Sequence, residues 1–255
     1  MSWLYPLIRD SNPTGTIVAF PHGGGGLNAL NFLAKGAPPG LDVWGVLLPG
    51  RPGRWQEPAA TRMDQVVPPL VAALKALPRH PLVLAGHSLG AAIAHAVTEA
   101  LVREGRPPQG LVVSGRRAPH LPPDRPPVWE LDDAGLDQEL RRLGGTPPEV
   151  LADRDLMDLM RPLLRADFTL SDSYRVAAPA PLPLDLVALA GDADTTVTVD
   201  EVAAWETVRA HSFHLRTMKG GHFFIQENPD DYIRLIHNLF SRNALAAPSA
   251  GEPRS

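Results

Sequence analysis

Cysteine is absent from the chain. That removes disulfides, thiolate-bound zinc and a cysteine nucleophile together. It also fits a reducing cytoplasm, the location expected for the protein. Clustered cations are missing too: the formal net charge is -4 and no basic run stands out. Nucleic acid is therefore not an expected partner, because a phosphate backbone calls for clustered Lys and Arg. No apolar run is long enough to span a bilayer. The stretch Met1 to Asn12 lacks the charged start and apolar run of a signal peptide. No membrane association is expected.

What remains is a chain of 255 residues, 44% of them hydrophobic, which suits one large globular domain with a well-buried core. Its 28 prolines fall mostly between periodic segments, so they read as loop stiffening. The most informative stretch is Leu82 to Leu101. A short apolar run meets Gly86-His87-Ser88-Leu89-Gly90, and an alanine-rich segment follows. Strand, tight turn and helix in that order make the motif readable as a nucleophile elbow. There a strained serine is raised at the strand end, and the N–H of Leu89 faces a developing oxyanion. An ordinary strand–helix turn holding a serine is the alternative.

Thr16 to Phe20 reads as a buried strand running into Pro21-His22-Gly23-Gly24-Gly25-Gly26. Glycines there suit a loop whose backbone approaches a ligand, as in the second half of an oxyanion hole, or else a flexible linker. Asp42 to Leu48 is the next strand, followed by a basic loop with Arg51 and Arg54. Apolar spacing predicts a helix over Met63 to Leu77, starting at or kinked by Pro68-Pro69. Leu111 to Ser114 is another strand. From 116 to 178 the strand pattern stops, and Leu131 to Leu143 and Leu156 to Leu164 suggest helices, the second bent at Pro162. Such a segment is either additional core packing or a lid. Strands resume at Leu184 to Ala190 and Phe213 to Thr217, with helices over Asp200 to Arg209 and Pro229 to Phe240. The expected fold is α/β, a mostly parallel sheet with helices on both faces and a helical insertion. Residues 1–115 and 179–242 are expected to form the core, 116–178 the helical insertion, and 243–255 a disordered tail.

A serine hydroxyl needs a base, and the base needs a carboxylate to hold its tautomer. In this architecture the chain order is Ser, acid, His, each after a strand. Ser88, Asp194 and His222 meet it. Asp194 is favoured over Asp192 because it lies beyond the Gly191 turn. An acid after the Leu111–Ser114 strand is the other arrangement, but no carboxylate follows it before Asp124. His87 adjoins the serine but points away from it. His22 is placed to support the glycine loop. His80, His95, His120, His211, His214 and His237 read as surface or packing residues.

These residues resemble the type II thioesterases, the discrete editing enzymes of polyketide and nonribosomal peptide assembly lines. The matching motifs are Phe20-Pro21-His22-Gly23-Gly24, Leu48-Pro49-Gly50-Arg51 with Arg54 and Glu57-Pro58, and Gly86-His87-Ser88-Leu89-Gly90. Arg142-Leu143-Gly144-Gly145-Thr146-Pro147, Pro162 to Phe168, Gly191-Asp192-Ala193-Asp194 and Gly220-Gly221-His222-Phe223-Phe224 complete them. The resemblance covers about residues 12 to 241. It implies an α/β-hydrolase fold in which 116–178 is a helical lid insertion, and hydrolysis of acyl groups from the phosphopantetheine arm of acyl or peptidyl carrier proteins, through an acyl-enzyme on Ser88, by a monomer. No resident cofactor or metal is implied. It also implies Asp194 as acid, His222 as base, and the N–H groups of Gly23 and Leu89 as the oxyanion hole. The family usually has alanine at Gly23 and often methionine at Leu89, and both keep a backbone N–H. Arg51, Arg54, Arg116 and Arg117 read either as cations that meet an acidic carrier surface or as surface arginines with no specific role. A general carboxylesterase or lipase, or a non-catalytic carrier-binding protein, are the competing readings.

Overall fold

The computed structural model describes residues 2–122, 126–208 and 210–241. Seven strands form one sheet: β1 (Leu4–Ile8), β2 (Gly15–Phe20), β3 (Leu41–Val46), β4 (Leu82–His87), β5 (Gly110–Ser114), β6 (Asp185–Gly191) and β7 (Ser212–Met218). Their order is β1-β3-β2-β4-β5-β6-β7, with β1 antiparallel to β3 and the other pairs parallel. From β2 the chain steps outward to β3, then returns and crosses to β4 on the other side. The loops after β2 and β4 therefore diverge. A crevice opens between them at the carboxyl edge, where open α/β sheets bind ligands.

The inner strands are buried on both faces, so their sequences read as continuous apolar runs rather than alternating ones. Val18, Leu84, Val113 and Ala188 point to one face. There they meet α2 (Met63–Lys75), α3 (Leu89–Arg103) and α7 (Val199–Ala203). Ile17, Val83, Val112 and Val187 point to the other, against α1 (Asn31–Gly36) and α9 (Pro229–Asn238). Between β5 and β6 lie α4 (Asp133–Leu143), α5 (Pro148–Ala152) and α6 (Arg154–Ser173). These carry a small apolar cluster of their own, with Leu136, Leu140, Met157 and Leu164 at its centre. A short helix α8 (Phe224–Glu227) precedes α9.

Several expectations change. Pro68 and Pro69 neither start α2 nor end it: one helix of 13 residues runs through both. The carbonyls whose partners they remove belong to the first-turn residues Asp64 and Gln65, which are exposed and can be solvated. Likewise α6 continues through Pro162 for 20 residues, well beyond the Leu156–Leu164 stripe. The Asp200–Arg209 helix shortens to α7 followed by a 3-10 turn over Ala204–Val208, and Arg209 is outside the described residues. Strand β1 and helices α1, α5 and α8 have no counterpart among the elements expected from the sequence. The tail at 243–255 and Asp124 also lie outside the described residues.

Candidate active site

The carboxyl end of β4 turns directly into α3, with Ser88 between them at φ 53, ψ -115. Among the described residues it is the one non-glycine with positive φ, a conformation that costs on the order of 1–3 kcal/mol. The turn is made possible by its two glycines. A Cβ on Gly86 would sit 2.3 Å from the carbonyl of Gly90, and one on Gly90 would sit 2.2 Å from the carbonyl oxygen of Phe20. The Ser88 N–H donates to the Ser114 carbonyl at 2.9 Å, which fixes the turn to β5. Leu89 is the first residue of α3, so its N–H has no partner within the helix.

Asp194 follows β6 and His222 follows β7, and the adjacency of those strands brings the two together. Asp194 Oδ2 lies 2.8 Å from His222 Nδ1. Its other oxygen accepts from the Thr196 N–H at 2.8 Å, the Thr196 hydroxyl at 2.6 Å and the Val197 N–H at 3.2 Å. Burial pushes this carboxyl up. The bond to His222, the charge of that imidazole and the two Thr196 bonds outweigh burial and hold it down at about 2. Asp194 is therefore an anion throughout the neutral range. Thr196 Oγ1 is also 2.8 Å from His222 Nδ1. Since its proton goes to Asp194, it shares the Nδ1 proton as a second acceptor. The imidazole is thus fixed with Nδ1 protonated and the Nε2 lone pair open, and Nε2 is buried without a hydrogen-bond partner. No Ser88–His222 hydrogen bond is formed, but both residues line one cavity of about 280 Å³. Trp129, Leu143 and Phe168 of the 116–178 segment line its other side.

Asp192 plays a different part. It accepts from the Gly220 N–H at 2.9 Å and ties the β6 loop to the β7 loop. His87 is turned inward, with Nδ1 3.0 Å from the Ser114 hydroxyl. Burial first, then the neighbouring His222 and His22, hold it well below the usual imidazole range. It packs 5.0 Å from the His222 ring as a neutral spacer. His22 Nδ1 donates to the Gly23 carbonyl at 2.8 Å, so it does support the glycine loop.

The basic loop departs from expectation. Arg51 and Arg54 are 2% and 3% exposed, so neither forms an outward cationic surface. Arg51 pairs with the equally buried Asp167 of α6 and donates to the Pro49 carbonyl at 2.9 Å. Arg54 pairs with Glu57 and donates to the Leu47 carbonyl at 2.7 Å. Each guanidinium cancels charge and satisfies backbone in a tight turn. Arg116 and Arg117 are half-buried and engaged, Arg116 with Ser171 and Arg117 with Glu201. Sequence reasoning missed Thr196, Ser114 and Asp167. A hydroxyl two residues past the acid was a readable signal for the first; Asp167 falls within the Pro162–Phe168 motif, but nothing in the sequence pairs it with Arg51, 116 residues away.

Fold and site together define an α/β-hydrolase with a serine at its elbow. The chain belongs to the thioesterase domain family, whose profile matches residues 15–240. The thioesterase PikA5 of Streptomyces venezuelae is 35% identical over 257 residues, spanning 99% of this chain and 91% of that protein. Two solved structures are also similar. YbtT, a type II thioesterase from the yersiniabactin NRPS/PKS pathway, superposes with a TM-score of 0.86 at 30% identity, covering 94% of this chain and 99% of that one. BorB, the type II thioesterase of the borrelidin cluster, gives 0.84 at 31% identity, covering 93% and 97%. Among the described residues no helix is long and apolar enough to cross a membrane.

Proposed function

We propose that the protein is an editing thioesterase, which clears stalled or aberrant acyl chains from the phosphopantetheine arm of acyl or peptidyl carrier proteins in the cytoplasm. The observation that carries this reading is the His222 imidazole, held by Asp194 at 2.8 Å with its second nitrogen unpaired, in a residue that lines the same cavity as Ser88. In the first half-reaction the Ser88 hydroxyl attacks the thioester carbonyl while His222 Nε2 takes its proton. A general base in that position supplies about 10²–10⁴-fold. The carbonyl oxygen gains negative charge and is received by the N–H groups of Gly23 and Leu89, each such donor contributing roughly 2.7–4 kcal/mol. The C–S bond then breaks, and the imidazolium returns its proton to the departing pantetheine thiol. Water repeats the sequence on the acyl-enzyme and releases the free acid. Every group in these steps comes from one chain, so a monomer suffices, and no metal or resident cofactor enters.

The test is release of acyl groups from a panel of acyl-carrier proteins, alongside simple esters, by the parent and by Ser88→Ala. Turnover of carrier-bound thioesters above simple esters, lost in the variant, supports the reading. Faster turnover of simple esters makes the protein a carboxylesterase. Absence of turnover, with Ser88 unlabelled by a serine-reactive phosphonate, makes it a non-catalytic binder.

A further inference from the structure

The candidate oxyanion loop is short of side chains, so something else must hold its amides in place. Two peptide units meet at Gly23. The first joins His22 to Gly23, and its carbonyl accepts from the Gly25 N–H at 3.0 Å. A planar trans peptide directs its N–H opposite to its carbonyl, so this bond fixes the direction of the Gly23 N–H. The second unit joins Gly23 to Gly24 and is held at both ends. His22 Nδ1 lies 2.8 Å from its carbonyl, and Asp167 Oδ2 lies 2.7 Å from its N–H. Asp167 comes from α6, 143 residues away in sequence.

The grip is built with care for charge. Asp167 is 1% exposed, and the buried Arg51 donates to the same carboxylate oxygen that Gly24 uses. Arg51 Nε also reaches the Gly25 carbonyl at 3.4 Å. The other oxygen, Oδ1, is buried without a partner. One turn back, Leu164 of α6 covers Gly24 so closely that a Cβ there, at φ +73, would lie 2.8 Å from its Cδ2. Helix α6 therefore rests on the glycine loop through an apolar contact and a charge-assisted hydrogen bond.

We infer that Asp167 is a positioning residue for acyl transfer: from α6 it locks the Gly23–Gly24 peptide and, together with the Gly25 bond to the preceding unit, keeps the Gly23 amide aimed at the oxyanion while the 116–178 segment is seated. The inference rests on the proposed thioesterase reading, in which the Gly23 N–H receives that oxyanion. An amide that must be reoriented at the moment of reaction loses its advantage over water. The lesion is thus one of turnover rather than of substrate binding.

Removing Asp167 alone would strand a buried guanidinium, so the main test is the neutral pair Arg51→Met with Asp167→Leu. Acyl-pantetheine turnover is measured together with affinity for a trifluoromethyl ketone acyl analogue, which forms an oxyanion on Ser88. The folded double variant is expected to lose about 10–100-fold in kcat, with KM within about threefold, and to lose analogue affinity by the same factor. Asp167→Asn keeps bulk and an acceptor but not the charge-assisted bond. It is expected to lose about 3–10-fold in both readouts, and it decides the matter if the double variant does not fold. Parent kcat and parent analogue affinity in either folded variant would overturn the inference, as would a change in KM alone. Ser88→Ala runs alongside. If it is dead while the Asp167 variants match the parent, only this inference falls; if it keeps full activity, the site reading falls and this inference with it.

Discussion

The two ends of the sheet make an instructive pair. At the amino edge lies a groove of about 990 Å³, far larger than the 280 Å³ cavity at the carboxyl edge. It is lined by Asp185, His211, Ser212 and His214, so the residue types of a triad are all present. Ser212 even donates to Asp185 at 2.6 Å. What it lacks is arrangement. Ser212 opens β7, lies within a strand's own backbone and is bonded directly to a carboxylate with no imidazole between. Ser88 ends β4, has its backbone strained and a helix N-terminus at its back, and shares a cavity with an imidazole already held by a carboxylate. Volume and composition favour the amino edge, while topology and hydrogen-bond order favour the carboxyl edge, and the proposed chemistry follows the latter.

The strongest way to break the comparison is Ser88→Ala or His222→Ala. Members of such a unit depend on one another, so each single loss should cost on the order of 10⁴-fold or more in kcat, and the double variant little beyond that. Additive losses, measured by single-turnover release of an acyl-pantetheine, would show that the two residues do not act together. Next comes Asp194→Asn. It is nearly isosteric, but its amide allows the imidazole the wrong tautomer, so kcat should fall about 10³–10⁴-fold with KM little changed. The matching change at the neighbouring carboxylate, Asp192→Asn, should leave kcat within about threefold. Asp192 accepts from the backbone N–H of Gly220, and an amide oxygen can do the same.

How far the sequence carried depended on the range of each interaction. The elbow was legible because its causes are local: two glycines four residues apart, an apolar run before and an alanine-rich helix after. The pairing of Asp194 with His222 was legible because adjacent parallel strands place their following loops side by side. Strand β1 escaped because it is a short antiparallel edge strand with Pro6 inside, which weakens any strand pattern. The buried arginines escaped for a different reason. A run of Pro, Gly and Arg reads as a surface loop unless the partner of each charge is known, and for Arg51 that partner is Asp167 on α6. Charge burial is a property of pairs, and composition reports only members.

Smaller effects sharpen the contrast. Thr196→Val removes the hydroxyl shared by Asp194 and His222 and should lower kcat about 3–10-fold, the worth of one hydrogen bond of about 1 kcal/mol. An unchanged kcat would reduce Thr196 to a loop-capping residue. His95 is expected to affect stability rather than turnover. It sits fully buried on α3 with Nδ1 2.8 Å from the Tyr174 hydroxyl, and burial pushes it down to about 3 from an ordinary 6.5. Below 6.5 the unfolded chain therefore takes up a proton that the native state refuses. Stability is complete above 6.5 and falls as pH drops toward 3, by up to about 1.4 kcal/mol per pH unit. His87, also held low by burial, adds in the same direction. Asp194, held low at about 2, loses its contribution only below its ordinary 3.8, which overlaps the acid end of this range but lies below pH 5. Urea midpoints at pH 7 and pH 5 should differ less in His95→Gln than in the parent. Equal differences would place the acid sensitivity elsewhere.

The smallest effect is expected at the amino edge, and its smallness is what the comparison requires. Ser212→Ala removes one hydrogen bond to Asp185, itself half-buried at the first position of β6. The edge stays paired, because the β6–β7 register begins at this same residue pair through the backbone. Stability should fall by about 0.5–1.5 kcal/mol, as for one such bond, and kcat should stay within about twofold. A serine-reactive phosphonate should label the Ser212→Ala protein fully and the Ser88→Ala protein not at all. If labelling followed Ser212 instead, a serine without an imidazole partner or an elbow would be the reactive one. Hydrogen-bond order would then have lost to volume, and the assignment of chemistry to the carboxyl edge with it.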